Sequence, residues 1–350
     1  MSDLHFSSPP ALVAFDPDGA SESRERPATE ILPANPIASA TALAALAAAM
    51  DFADQALAPA TLRAYRSDWQ HFCAWCREAG WPALPAAAET ISAYLAAISA
   101  THTSSLLTRR LAALHRAHRL ANQEWSGGHS KVRNTLRGIG RQFGRAPRQA
   151  AALATPEIKD LIAACGYDPV GLRDRALLLI GYAGALRRSE LVAIEREHVT
   201  IDQDGMRLFI PRGKGDQTAK GVRIGIPRGD ALDSCPVRSL EAWLRISDCH
   251  RGPIFRGIDR RGRISLQALH PDAVRQILAK RAAIAGLVMP NGERLSPHGL
   301  RAGFITQAYI NGARDEEIMD HTRQKDLRTM RGYVRRAKLV TGSPAKLLGL

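Results

Sequence analysis

The sequence lacks the features that mark membrane and secreted proteins. Its apolar runs all fall short of the ~18 residues that a membrane-spanning helix needs, and the alanine-rich run at 37–50 follows acidic residues. Such a run is neither a secretion signal nor a membrane anchor. We therefore expect a cytoplasmic protein.

Cysteine is scarce and offers no pattern typical of a metal site. The five cysteines are unevenly spaced, and Cys73 and Cys76 form a single C-x-x-C pair. That pair lies within an amphipathic helical pattern beside Phe72 and Trp75, and no second pair follows at zinc spacing. We predict that both thiols belong to the core side of a helix.

Two motifs that often accompany phosphate chemistry are also missing from the sequence. No cluster of acidic residues suits magnesium, which needs several oxygen ligands, and no glycine-rich loop ends in Gly-Lys-Ser or Gly-Lys-Thr. Phosphoryl transfer by this chain would therefore run without a metal ion or a nucleotide cofactor. It would need protein cations to balance charge on phosphorus, and a tyrosine can serve as the covalent nucleophile.

Positive charge is what the chain has in excess. Its 48 Lys and Arg residues against 34 Asp and Glu give a net charge of +14. Residues 1–50 contain two arginines and six acidic residues, so the remaining 300 residues carry +18. A folded body this basic predicts a polyanionic partner. The basic residues are spread over several segments and are not gathered on one amphipathic helix, which favours nucleic acid over a membrane surface.

Composition and periodicity divide the chain into four parts. Residues 1–50 combine proline with serine, alanine and acidic residues, and this composition predicts a disordered tail. Residues 51–148 contain amphipathic patterns typical of a small helical domain. Residues 149–154 are predicted to form a linker, and residues 155–350 form a second domain with a C-terminal tail.

Arginines of the helical domain are candidates for contact with nucleic acid. A stripe of one charge sign has no internal partner and repels itself unless an external anion lies against it. The alternative is an ordinary solvated helix face. The candidates are Arg109, Arg110, Arg116, Arg133, Arg137 and Arg141, of which the last three share one face of the fourth helix.

The second domain contains a predicted β-hairpin followed by a short helical motif. Two β-rich runs, 207–211 and 222–227, flank a loop with Lys214 between two glycines, so we expect a lysine near the hairpin tip. Further along, in the stretch Leu295–Arg301, Ser296 as N-cap and Pro297 in the first turn predict the start of a helix. Its histidine and arginine would leave one helix face near the N-terminus, an arrangement suited to an anionic oxygen.

Four motifs in fixed order resemble the tyrosine site-specific recombinases, the family of phage integrases and chromosome-dimer resolvases. The resemblance covers about residues 58–340, and the motifs are specific together because their order, spacing and context all match. They are Leu186-Arg187-x-Ser189-Glu190-Leu191, then Lys214 in its hairpin, then Leu295-Ser-Pro-His298-x-Leu-Arg301, and finally Arg331-Gly-Tyr333.

The resemblance implies a fold and a set of partners. The fold would be mainly α with a small antiparallel β-sheet: an N-terminal helical core-binding (SAM-like) domain and an α+β catalytic domain, together forming a clamp around double-stranded DNA. It implies a homo-oligomer, a tetramer on DNA, and no cofactor. The biological task of such a mobile-element recombinase stays open among integration, excision, transposition and resolution.

The resemblance also implies a role for each motif residue. Tyr333 would attack a backbone phosphorus and form a 3′-phosphotyrosyl link, while Arg187 and Arg301 bind the non-bridging oxygens. Lys214 would protonate the leaving 5′-oxygen, and His298 would hydrogen-bond the phosphate or help to remove the tyrosine proton. No ATP is needed, because the phosphotyrosine retains the bond energy for ligation.

One position departs from the family pattern. Nine residues before the nucleophile the family usually has His or Trp, and this chain has Gln324. A glutamine amide still donates an N–H, so we expect weak substitution. His321 is a further candidate for the same side of the site if the segment is helical.

Several alternatives stay open at the level of sequence. Arg187 and Glu190 would, in isolation, be a surface pair, although the motif favours Glu190 as the group that holds the turn. The whole protein could instead be a DNA-binding protein of the same fold with weak or lost catalysis, or a helical DNA-binding regulator with chance motif matches. The apolar tail at 334–350 would dock either on a neighbouring protomer or on its own domain.

Overall fold

The computed structural model describes residues 57–144, 150–211, 221–289 and 293–337. The chain divides into two compact units, Met1–Ala146 and Pro147–Leu350. Within the described segments, no helix is both long enough and apolar enough to cross a membrane. The predictions for the N-terminal tail, for Lys214 and for the tail beyond residue 337 lie outside the described residues.

In its described residues, 57–144, the first unit is a group of four helices around one core. Helix α1 begins with Pro59 at its first turn, where the missing N–H has no partner to lose, and ends at Gly80, whose φ of 71° glycine adopts without strain. The core holds Phe72, Tyr94 and Leu107, all fully buried. The helices are α1 (Pro59–Ala79), α2 (Ala88–Ile98), α3 (Ser104–Leu120) and α4 (Ser130–Phe143), with a 3₁₀ turn at Ser126–Gly128 before the last.

The described part of the second unit consists of helices with two small antiparallel sheets. Its helices are α5 (Thr155–Ala163), α6 (Pro169–Ala183), α7 (Arg188–Val192), α8 (Pro236–Ile246), α9 (Pro271–Ile284), α10 (His298–Ile310), α11 (Asp315–Thr322) and α12 (Leu327–Ala337). Its strands are β1 (Val199–Ile201), β2 (Gly205–Ile210), β3 (Val222–Pro227), β4 (Arg256–Ile258) and β5 (Ile264–Ala268). Helix α6 lies at the centre of the core and is buried on nearly all sides.

The predicted hairpin is present in the three-stranded sheet. Strands β2 and β3 pair antiparallel from Gly205 opposite Pro227 to Ile210 opposite Val222. The segment that contains Lys214 therefore connects two adjacent strands. Strand β1 on the other side of β2, and the separate β4–β5 pair, were not predicted from the sequence.

Two glycines let helix α10 approach the backbone that leads into the second unit. The Leu153 backbone N–H donates to the Gly299 carbonyl (3.1 Å). A Cβ at Gly299 or Gly303 would collide with backbone carbonyl oxygens of this segment. The close contact fixes the start of α10, which carries His298 and Arg301.

A small separate core positions the last described helix. Ile305 of α10, Ile318 of α11 and Met330 of α12 are buried against one another, and the half-buried Tyr333 packs on them. Burial of such side chains is the main force that holds a short helix in place. The phenol of Tyr333 is therefore held beside the N-terminal turn of α10.

The fold class predicted from the sequence is confirmed: mainly helical, with small antiparallel sheets. The start of α10 needs a correction. The helix begins at His298, with Pro297 as the N-cap residue at φ −55°, and no side chain caps it. Ser296 contributes its backbone carbonyl, which accepts from the Gly299 N–H (2.8 Å). Pro297 already has helical dihedral angles, so the start of the helix differs from the predicted one by a single residue.

Candidate active site

Arg187 is held by Glu190 at the turn between α6 and α7. The Arg187 backbone N–H donates to Glu190 Oε2 (3.0 Å) and its Nη1 donates to Oε1 (2.6 Å). The Glu190 carboxylate is only 4% exposed, whereas the Arg187 side chain is 30% exposed. The pair is therefore not the surface pair considered as an alternative. The Arg187 side chain is thus held by a buried carboxylate and is itself partly exposed.

Arg301 lies beneath this turn. It is 1% exposed, its Nη1 donates to the Ala185 carbonyl (2.7 Å), and its Nη2 donates to the Thr322 carbonyl. Burial, together with repulsion from Arg187 and Arg323, lowers the pKa of Arg301 to about 10. The side chain is still charged at neutral pH, so a positive charge is held inside the unit.

Arg323, a residue that no sequence motif singled out, completes the cluster of arginines around Glu190. Its side chain is 10% exposed, and its Nη2 donates to Glu190 Oε2 (3.0 Å) and to the Ala185 carbonyl (3.4 Å). Its backbone ends α11 with φ 58°, in the left-handed region. Spacing gave no signal for this residue, because the contact with Glu190 joins positions 133 apart in the chain.

The phenol and the imidazole of the predicted site are in direct contact. The Tyr333 hydroxyl lies 2.6 Å from His298 Nε2. Desolvation, followed by the positive charges of Arg301 and Arg187, lowers the pKa of His298. A neutral imidazole at neutral pH can accept the phenol proton, as a general base must.

His321 and Gln324 make internal contacts. His321 Nε2 lies 2.8 Å from the Ala183 carbonyl, and its ring stacks on Phe304 at a centroid distance of 4.7 Å. The Thr322 hydroxyl donates to the Gln324 side-chain oxygen (3.2 Å). These contacts are typical of packed side chains, and the catalytic roles predicted for both residues stay predictions.

The cluster has a clear excess of positive charge. Three guanidinium groups, those of Arg187, Arg301 and Arg323, surround one carboxylate, that of Glu190. Desolvation lowers the pKa of Arg323 as well. Buried cations without matching anions are costly, so the arrangement suits an oxyanion supplied from outside. No group of three or more His, Cys, Asp or Glu residues within the described segments could hold a metal ion.

The first unit places its predicted DNA-contacting arginines in two different settings. Arg133, Arg137 and Arg141 are exposed on α4, while Val132 and Ile139 of the same helix are buried. Within the described segments, no carboxylate forms an ion pair with any of these three arginines. The exposed face of α4 is therefore a stripe of one charge sign.

Arg109 and Arg110 of α3 make contacts within the first unit. Arg110 is 7% exposed and donates to the Tyr94 hydroxyl and to His71 Nδ1 (2.8 Å). These contacts are typical of a packed side chain, and the DNA contact predicted for Arg110 stays a prediction. Arg109 is 48% exposed but forms two hydrogen bonds to the buried Asp68.

Arg116, the third candidate on α3, is half-buried.

The thiols of Cys73 and Cys76 lie on helix α1, as the sequence predicted. Cys76 is buried and Cys73 half-buried, and both are free. Burial raises the pKa of Cys73 to about 11 and that of Cys76 to about 12. These protonated thiols are core residues.

Comparison with known proteins connects this geometry to one family. Residues 152–339 match the model of the phage integrase family. The chain is 34% identical over 285 residues to an integrase/recombinase XerD homolog of Selenomonas ruminantium, covering 80% of this chain and 82% of that protein. It is 28% identical to the tyrosine recombinase XerD of Pseudomonas aeruginosa, covering 82% and 90% of the two chains.

Solved structures share the fold at low sequence identity. A lambda integrase dimer bound to a COC′ core site matches with a TM-score of 0.55 at 17% identity, over 81% of this chain and 74% of that chain. The Tn1549 transposon integrase in complex with transposon right end DNA matches with a TM-score of 0.56 at 11% identity, over 83% and 96%. At such identities the similarity supports the fold alone.

Proposed function

The chain belongs to the phage integrase family of tyrosine recombinases, enzymes that cut and rejoin DNA by transesterification, and from that premise we propose how its own residues perform the reaction. The observation that carries the proposal is the 2.6 Å contact between the Tyr333 hydroxyl and His298 Nε2, next to a buried cluster of cations. The contact supplies a nucleophile and a base, and the cations supply the charge that a phosphate needs.

In the proposed cleavage step, the Tyr333 oxygen forms a bond to the scissile phosphorus while the bond from phosphorus to the 5′-oxygen breaks. The phenol proton moves to neutral His298. The leaving 5′-oxygen takes a proton from Lys214, the residue that the family motif assigns to this role. The reverse reaction with the 5′-hydroxyl of another strand completes rejoining, so no metal ion or ATP is consumed.

The two motif arginines have different tasks in this proposal. Arg187 is the better donor to the non-bridging oxygens, because its side chain is 30% exposed and uses Nη1 on Glu190. Arg301 already uses both terminal nitrogens on the carbonyls of Ala185 and Thr322. It contributes buried positive charge and its remaining N–H groups, which stabilise the charge that develops on a pentavalent phosphorus.

A nicked duplex that traps the covalent intermediate tests this function. The duplex carries inverted repeats taken from DNA that flanks the gene, with a nick near the cleavage position so that the short 5′-hydroxyl strand diffuses away. We expect a protein–DNA adduct that resists denaturation and is absent with Tyr333→Phe. DNA binding without any adduct would support the second candidate, a DNA-binding protein with lost catalysis, which the amide of Gln324 in place of His or Trp favours.

We propose that the first unit contacts duplex DNA through the basic face of α4. The three exposed arginines lie on the side opposite the core, without acidic partners within the described segments, and each can neutralise one phosphate.

The same proposal extends to the predicted division of the chain, with residues 51–148 as core-binding domain and 155–350 as catalytic domain. Action on chromosomal or mobile DNA would place the protein in the cytoplasm.

We also propose that the protein acts as a tetramer on DNA. Rejoining strands of two duplexes requires several active sites at once, and one solved relative is a lambda integrase tetramer bound to a Holliday junction. Sedimentation of the protein with a synthetic four-way junction measures the assembly. Two protomers per junction at saturation would contradict the proposal, and truncation after Lys338 should weaken the assembly while leaving the monomer folded.

A further inference from the structure

Arg323 is a third guanidinium of the active-site cluster that the proposed mechanism leaves unused. It lies directly after α11, in the short segment that leads to the helix of Tyr333. Its contacts return across the site to the Ala185 carbonyl and to Glu190, the carboxylate that holds Arg187. One side chain thus joins the segment before the nucleophile to the turn that carries Arg187.

The geometry argues against direct contact between Arg323 and the substrate. Its Nη1 donates to the His321 carbonyl (3.1 Å), and its Nη2 to Glu190 and Ala185. Its Nε is buried, with no hydrogen-bond partner within the described segments. Both terminal nitrogens are engaged and the side chain is only 10% exposed, so we expect an effect on the reaction to pass through those acceptors.

Glu190 is the natural route for such an effect. Its Oε1 accepts from Arg187 and its Oε2 accepts from both the Arg187 backbone and Arg323. Without Arg323 the carboxylate would keep a single hydrogen-bonded cation, Arg187, and could rotate about its last torsion. Rotation would break the 2.6 Å contact that fixes the Arg187 guanidinium.

We propose that Arg323 is a positioning residue for strand cleavage: it locks the Glu190 carboxylate and the Ala185 carbonyl so that Arg187 and the Tyr333 segment keep a common geometry. The proposal rests on the proposed function, since positioning is defined by the cleavage reaction. Small displacements of a positioned group reduce rates strongly. The inference therefore concerns the rate of cleavage more than the affinity for DNA.

The backbone of Arg323 offers a clean variant. The residue has φ 58°, which glycine adopts without strain, so Arg323→Gly removes the side chain and relieves the backbone. Asp248→Gly is a matched control, because Asp248 also has a positive φ (48°) but lies in an exposed turn. Arg323→Lys keeps the charge and loses the fork that spans two acceptors.

The test measures single-turnover cleavage of the nicked duplex by the full chain and these variants, together with DNA affinity and the melting temperature. We expect Arg323→Gly to cleave about tenfold more slowly, with affinity changed by less than about threefold, and Arg323→Lys to recover part of the rate. Asp248→Gly should cleave as the natural protein does. In an Arg187→Ala background, Arg323→Gly should slow cleavage by less than about twofold, because the residue acts through Arg187.

Three results would overturn the inference. The first is cleavage by Arg323→Gly at the natural rate. The second is a double variant whose rate loss equals the product of the losses of the two single variants. The third is a rate loss that matches the unfolded fraction of Arg323→Gly. Failure of the proposed function looks different. In that case the unsubstituted protein itself forms no adduct, and no comparison among variants arises.

Discussion

Replacing Glu190 with Gln is the most informative single perturbation of the cationic cluster. The carboxylate is 4% exposed and accepts from the Arg187 backbone, from Arg187 Nη1 and from Arg323 Nη2. Although burial alone would raise its pKa, the hydrogen bonds of Arg187 and the charge of Arg323 lower the pKa of Glu190. The substitution keeps the shape of the side chain and removes the negative charge.

The size of the effect follows from burial. Removing one partner of a buried ion pair typically costs about 3–5 kcal/mol, because the other charge stays buried without compensation. Gln keeps one oxygen acceptor, so we expect a loss of about 3 kcal/mol, at the lower end. For a unit of this size that corresponds to a fall in melting temperature of roughly 6–12 °C.

The chain contains its own matched control. Glu317 accepts from the Arg314 backbone N–H (2.9 Å) and from its guanidinium (2.9 Å), the same arrangement three residues apart, but its side chain is 53% exposed. Solvent screens such a pair, so Glu317→Gln should leave the calorimetric melting temperature nearly unchanged. Equal shifts for the two variants would refute the reasoning, because burial would then not distinguish them.

A second readout is the dependence on pH. Since the folded-state pKa of Glu190 is depressed, its stabilisation is fully present above the unfolded pKa and is lost as the pH falls through the folded pKa. The difference between the natural protein and Glu190→Gln should therefore shrink in acid. A difference that grows in acid would contradict the assignment.

Three other predictions follow from the same structure. Burial and the charges of Arg301 and Arg187 lower the pKa of His298, so this base is neutral at neutral pH. Protonation of His298 should therefore place the acid limb of the cleavage profile at a lower pH than an ordinary histidine would, and a limb above neutral pH would contradict this. Met330→Ala empties part of the small core under Tyr333, should destabilise α12 by about 2–5 kcal/mol, and should slow adduct formation while filter-binding affinity stays constant. Replacing Arg133, Arg137 and Arg141 by Ala should reduce the slope of log affinity against log salt by roughly 3, and an unchanged slope would exclude them from the DNA contact.

Local patterns predicted the elements of this fold well. The amphipathic patterns of residues 51–148 predicted helices and the β-rich runs around the lysine loop predicted a hairpin, and both signals are local. The family resemblance assigned His298 and Tyr333 to one site, and the structure places these two side chains, 35 positions apart in the chain, 2.6 Å from each other. Spacing alone does not show that these two residues belong to one site, and the assignment came from the family resemblance.

Local sequence patterns could not predict which side chains of distant elements contact each other. His298 and Arg301 lie about 60° apart around α10 because three residues advance a helix by about 300°; one therefore faces the phenol and the other the core. Arg323 joined the site through a left-handed backbone and a partner on another helix. The burial of Arg110 could not be predicted from its own helix, because its partners, Tyr94 and His71, lie on other helices.

The central claim is that one phenol oxygen, that of Tyr333, becomes bonded to DNA phosphorus. Mass spectrometry of the trapped adduct, after digestion with nuclease and protease, locates the bond directly. The account predicts a nucleotide 3′-phosphate on the peptide that contains Tyr333 and no adduct with Tyr333→Phe. A nucleotide on the peptide of Tyr309 or Tyr182, or an adduct that persists in the Phe variant, would contradict it.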